Sequence, residues 1–69
     1  MSIGTNVKAA RTAANVSIKG LAKVSGVTRE TISRLERGIQ APHLATLEKL
    51  AKALGLSLPE LLGSAQEKP

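Results

Sequence analysis

Sixty-nine residues make one domain, and with no cysteine there is no disulfide or thiolate metal site to brace it. There is no Asp, a single His and no Phe, Tyr or Trp, which argues against acid–base or triad catalysis and against holding single strands by stacking bases on rings. Ten basic residues oppose five acidic ones, and the excess is local: residues 1–38 hold Lys8, Arg11, Lys19, Lys23, Arg29, Arg34 and Arg37 against Glu30 and Glu36, whereas residues 39–69 hold three of each sign.

A basic face of this kind suits a polyanion, and plain solubility is the competing explanation. A core this small supplies about 3–5 kcal/mol of net stability, so pairing of two chains is a natural supplement. No signal peptide and no bilayer-length apolar run is visible. The expectation is a cytoplasmic protein without metal or cofactor.

The first helix runs from about Ser2 to Ala14, with Ile3, Val7, Ala10 and Ala14 on one face. Asn15 is a suitable left-handed stop. The second runs from about Ile18 to Val24 behind the N-cap Ser17, with Leu21 and Ala22 facing inward. Gly26 turns the chain, since glycine takes a left-handed backbone without steric cost. The third helix follows the cap Thr28 and ends before Gly38. Pro42 breaks the next loop. A fourth helix spans about Leu44 to Leu54, with Leu44, Leu47, Leu50, Ala51 and Leu54 as its apolar stripe, stopped by Gly55. "SLPELL" then offers a capping box between Ser57 and Glu60. The domain is expected to span 1–63, and 64–69 to be a flexible tail. No segment alternates like a strand, so the fold class is all-α, a compact five-helix bundle.

The third helix is unusually polar. At about 100° per residue, Thr28, Thr31, Ile32 and Leu35 share one arc. Arg29, Glu30, Ser33, Arg34 and Arg37 share the opposite one, and Glu36 sits at the border. Arginine can pair bidentately with guanine O6 and N7, glutamate can accept from cytosine N4, and hydroxyls suit either kind of base. An ordinary solvated face remains the alternative from this helix alone.

The preceding turn adds weight. Two short helices joined by a glycine-bearing turn form a helix-turn-helix. Counting from Ile18, the small Ala22 is fifth, where the helices cross. Gly26 is ninth, and Val27, Ile32 and Leu35 are tenth, fifteenth and eighteenth, placed to pin the second helix on the first. With "IGTNVKAAR", "LAKVSGVTRETISRLERG", "LATLEKLAKALG" and "SLPELL", the chain resembles the Xre/Cro/C1-type helix-turn-helix proteins over about Ile3 to Leu62. These include phage repressors, Cro proteins, controller proteins of restriction–modification systems and antitoxins.

The resemblance implies a lambda-repressor-like fold whose third helix enters the major groove of double-stranded DNA. It implies base reading by Thr28, Arg29, Glu30, Ser33 and Arg34. It places phosphate contacts at Ser17, Ile18, Lys19 and Arg37. It also implies a structural salt bridge between Arg11 and Glu36, with a phosphate contact as the alternative for Arg11. The chain departs from the family's habit at three places: Ile18 stands where Gln often reaches a phosphate, Ser25 where Leu or Ala is common, and His43 where Ser often caps the fourth helix. At Ile18 the backbone N–H could still bind phosphate. His43 is read as a surface or cap residue.

The expected activity is sequence-specific regulation of transcription, as a repressor dimer on a near-palindromic operator. Leu58, Leu61 and Leu62 are surplus leucines for so short a last helix and are nominated for the dimer seam; capping the core is their other reading. The rival function is an antitoxin or coactivator-type adaptor whose main partner is another protein. Binding at a membrane surface is a weaker rival, because the basic helix lacks a broad apolar face.

Overall fold

Local chemistry decides where each helix of the computed structural model starts and stops; the structure describes residues 3–63. The order is α1 (Ile3–Ala13), α2 (Ile18–Ser25), α3 (Arg29–Glu36), α4 (Leu44–Ala53) and α5 (Leu58–Gly63). The expected start at Ser2 and the expected tail 64–69 lie outside the described residues.

Asn15 takes φ 61° and turns the chain out of α1. The Ser17 hydroxyl accepts from the Gly20 N–H at 3.0 Å, capping α2. Gly26, at φ 80°, ends α2 by donating its N–H to the Ala22 carbonyl. Thr28 accepts from the Thr31 N–H and opens α3. Ser57 and Glu60 form the expected reciprocal box: the Ser57 N–H donates to Glu60 Oε1 at 2.8 Å and the Glu60 N–H to Ser57 Oγ at 3.3 Å. His43 occupies the N-cap position of α4 and makes no side-chain cap bond.

α1 packs on α3 and α5, α2 on α3 and α4, and α4 on α5. The core is aliphatic throughout: Val7, Leu21, Val27, Ile32, Leu35, Leu47, Leu50, Ala51 and Leu61. With α1 on one side and α2 on the other, α3 keeps Ile32 and Leu35 buried and its other face open.

Gly4, which periodicity alone did not mark, sets how α1 meets α3. It is buried, and a Cβ there would overlap the Leu35 carbonyl oxygen and lie 3.1 Å from the Glu36 Cα. Only glycine lets the two backbones approach so closely. At the far side of α1, the Asn6 amide donates to the Leu62 carbonyl at 2.7 Å and so satisfies an acceptor near the end of α5.

Four expectations need correction. Leu61, expected at a dimer seam with core capping as its other reading, is 1% exposed and belongs to the core. The six-residue α5 must close the bundle against α1 and α4, and Leu61 is the fully buried leucine of that helix. Leu58 and Leu62 are partly buried against the same core. Leu44 is 60% exposed, because the buried stripe of α4 begins one turn later at Leu47. Ala14 lies past the end of α1 and is exposed, as the chain is already turning at Asn15. Thr28, assigned to the core arc, is exposed because it precedes α3 as its cap.

Candidate nucleic-acid interface

The helix-turn-helix is built outward from its turn. Gly26 reverses direction, and buried Val27 fastens the turn to the core. Ser25, where Leu or Ala is the family's habit, uses its hydroxyl to accept from the Val27 N–H at 3.1 Å. The cap at Thr28 then starts α3 with its first turn at the surface. Arg29 and Glu30 are exposed there, Ser33 is half-buried one turn on, and Arg34 is exposed beside it.

Ile18, Lys19, Thr28, Arg29, Glu30 and Ser33 line one open concavity of about 640 Å³ between the start of α2 and the start of α3. Six of the nine residues expected to contact DNA therefore meet at one place. A second recess of about 490 Å³ adjoins it, lined by Lys19, Ala22, Lys23, Gly26, Val27, Thr28 and Arg29. In the sequence Lys23 stands out first by its charge. Its spacing of four from Lys19 puts both on one face of α2, a signal that was present in the sequence.

The remaining expected residues stand apart from this concavity. Ser17 belongs to a smaller recess with Arg11, Thr12, Asn15 and Val16, and its oxygen caps α2. Arg37 follows the last turn of α3 as its C-cap and is exposed. Arg34 lies 3.4 Å from Glu30 across one helical turn. Both side chains of that pair are open to water, so the contact is weak and easily exchanged.

Arg11 and Glu36 are different. Arg11 Nε donates to Glu36 Oε2 at 2.8 Å and Nη2 to Oε1 at 3.0 Å, while Nη1 donates to the Val16 carbonyl at 2.9 Å. The side chains are 14% and 5% exposed. The hydrogen bond to Glu36 raises the Arg11 pKa; burial opposes the shift and the carboxylate charge adds to it. The guanidinium is thus committed inside the protein, which leaves little for a phosphate. It ties α1 to the end of α3 and to the loop leading into α2.

Aliphatic pins on one side of a short helix, polar side chains on the other, and a glycine turn before it define a helix-turn-helix module. The chain belongs to the Xre/Cro/C1-type helix-turn-helix family, whose model, described as helix-turn-helix, matches residues 7–61. It is similar to the control protein C.SmaI of Serratia marcescens, 42% identical over 60 residues that cover 87% of this chain and 71% of that one. Among solved structures, it resembles the restriction–modification controller protein C.AhdI of Aeromonas hydrophila, with TM-score 0.82, 36% identity, and 86% of this chain and 89% of that chain covered. It also resembles a chain of the SinR–SinI protein complex, with TM-score 0.84, 32% identity, and 97% and 66% covered. Other relatives are longer: the chain spans 39% of a transcriptional regulator of Mycobacterium tuberculosis and 35% of PuuR of Escherichia coli. Among the described residues no helix is long and apolar enough to cross a membrane, and no cluster of metal-ligating side chains occurs.

Proposed function

We propose that this chain is a sequence-specific regulator of transcription that binds a near-palindromic duplex operator as a two-fold dimer and represses by occupying it. The observation that carries the reading is the open concavity at the start of α3, where Arg29, Glu30 and Ser33 meet Lys19. In this reading the first turn of α3 enters the major groove. Arg29 pairs with a guanine edge, Glu30 accepts from a cytosine amine, and Thr28, Ser33 and Arg34 extend the contact. Lys19, Arg37, Ser17 and the backbone at Ile18 hold phosphates, which fix the pose without reading sequence. Lys23 adds to the basic approach surface. The likeness to C.SmaI and C.AhdI supports a regulator of the control-protein type.

One short helix contacts too few base pairs to find a site in a genome, and pairing two copies doubles the recognition energy. A two-fold arrangement sets the reading helices about 34 Å apart, one turn of B-DNA. Leu58 and Leu62 are the leucines of α5 that remain partly open for the seam. A second reading, in which another protein is the partner, draws support from the likeness to SinR in its complex with SinI and from the exposed Val24, Ile39 and Leu44.

Selection from a random duplex pool tests the first reading. A near-palindrome should be enriched, and affinity for it should fall steeply with salt. Inserting five base pairs at its centre should abolish cooperative binding. A pool that yields no preferred sequence would leave the protein-partner reading in its place, and equal binding per half-site on intact and spaced sites would overturn the dimer.

A further inference from the structure

Ile18 is out of character for its place. It is the first residue of α2 and lines the concavity shared by Thr28, Arg29, Glu30 and Ser33. It alone among the lining residues of that concavity has a purely hydrocarbon side chain. One part of it packs against the core and the rest stays open. A phosphate gains nothing from such a surface. The apolar feature that a B-DNA major groove displays is the 5-methyl group of thymine; cytosine methylated at C5 displays the same group.

Thr28 strengthens the point. Its hydroxyl accepts from the Thr31 N–H at 3.2 Å and donates to Thr31 Oγ1 at 2.8 Å. Its proton and one lone pair are taken up by its own helix, so Thr28 has only one lone pair and its γ-methyl to offer a ligand. Ile18 and Thr28 thus bring hydrocarbon to the concavity that Arg29 and Glu30 also line. The β-branch of Ile18 and its packing on the core restrict its rotamer, so a contact there orders little that was free.

We propose that Ile18, with the methyl of Thr28, is a specificity-determining residue that reads the 5-methyl group of a pyrimidine in each half-site. This rests on the duplex-DNA reading given above. It assigns Ile18 a sequence-reading contact in addition to any phosphate held by the backbone at that position. Arg29 and Glu30 would choose among base edges by hydrogen bonding, while Ile18 would choose by the presence of one methyl group.

The test starts from a site selected out of a random duplex pool, with the full chain as binder. If no sequence is enriched, the DNA reading itself fails, and this inference with it. On an enriched site, each thymine is replaced in turn by deoxyuridine, which removes only the methyl. Wild-type protein should lose about fourfold in affinity at one base pair per half-site, the factor expected from burying one methyl-sized apolar group. Ile18→Ala, shown to be folded by its circular dichroism and melting curve, should bind thymine and uracil equally there. Where the critical position is a cytosine, 5-methylation should strengthen wild-type binding by a similar factor and leave Ile18→Ala unmoved, identifying methylated cytosine as the source. If Ile18→Ala does not fold, Ile18→Val keeps the branch and most of the packing, and its methyl preference should shrink. A site at which no pyrimidine methyl matters overturns the proposal. So does a methyl effect of the same size in wild type and in whichever folded Ile18 variant is measured.

Discussion

The two ends of α3 carry the same chemistry, an arginine facing a glutamate, and use it in opposite ways. At the C-terminal end Arg11 grips Glu36 with two parallel hydrogen bonds, and both side chains are largely buried. Nearer the N-terminal end, Glu30 of the first turn meets Arg34 of the last turn at 3.4 Å, and both are open to water. The buried pair has all its guanidinium nitrogens assigned, one of them to the Val16 carbonyl. The exposed pair can trade its partner for a ligand at little cost. Burial, more than residue type, thus separates the arginine that holds the helix from the arginines free to bind.

Breaking the buried pair should have the largest consequence. Arg11→Ala leaves a largely buried carboxylate without its partner, a change that costs about 3–5 kcal/mol. Urea unfolding followed by circular dichroism should show that loss as a lower midpoint. A shift under about 1 kcal/mol would mean that this pair behaves like a surface one. Glu36→Gln keeps the shape while removing the charge, and should lose less than Arg11→Ala.

Gly4→Ala strains the same junction from the other helix. The added methyl meets the backbone of Leu35 and Glu36, which no rotamer can avoid. Overpacking of this kind costs about 1–3 kcal/mol. Because α1 would be pushed off the end of α3, DNA affinity should fall with stability. An unchanged melting temperature would show that α1 can shift freely, and the close approach would then not matter.

The exposed pair should barely register in folding. Glu30→Ala should change stability by less than about 0.5 kcal/mol, the usual range of an i,i+4 surface pair. Its effect should appear instead in which base pairs are preferred. A large stability loss would erase the distinction between the two ends of α3.

The helices and their turn were legible because strong local signals separate them. Asn15, Gly26, Pro42 and Gly55 mark the joints, and Ile32 and Leu35 could face only inward in so polar a helix. The group around Ile18, Lys19 and Arg29 is legible through the resemblance to the Xre/Cro/C1-type family, which implies contacts at those positions. Other features depended on what lies across from a helix, which periodicity does not encode. Leu44 and Leu47 share one stripe, yet only Leu47 is buried. Leu58, Leu61 and Leu62 read alike in the sequence, and packing against α1 and α4 singled out Leu61 for full burial. Gly4 carried no pattern at all; its need arises from a backbone two helices away. Ile18 departs from the family's phosphate-reaching Gln, and only the structure shows that it shares a concavity with Thr28, Arg29 and Glu30.

The most direct test of the contrast is Arg29→Ala, measured against a selected operator, against random duplex and in urea unfolding. Arg29 is an exposed residue at the start of α3. Its removal should cost about 1–3 kcal/mol on the selected site and relax preference at one base pair, with far less loss on random duplex. The unfolding midpoint should stay within about 0.5 kcal/mol of wild type. Equal weakening on selected and random DNA, or a loss of stability comparable to that of Arg11→Ala, would contradict a reading role for the N-terminal end of α3.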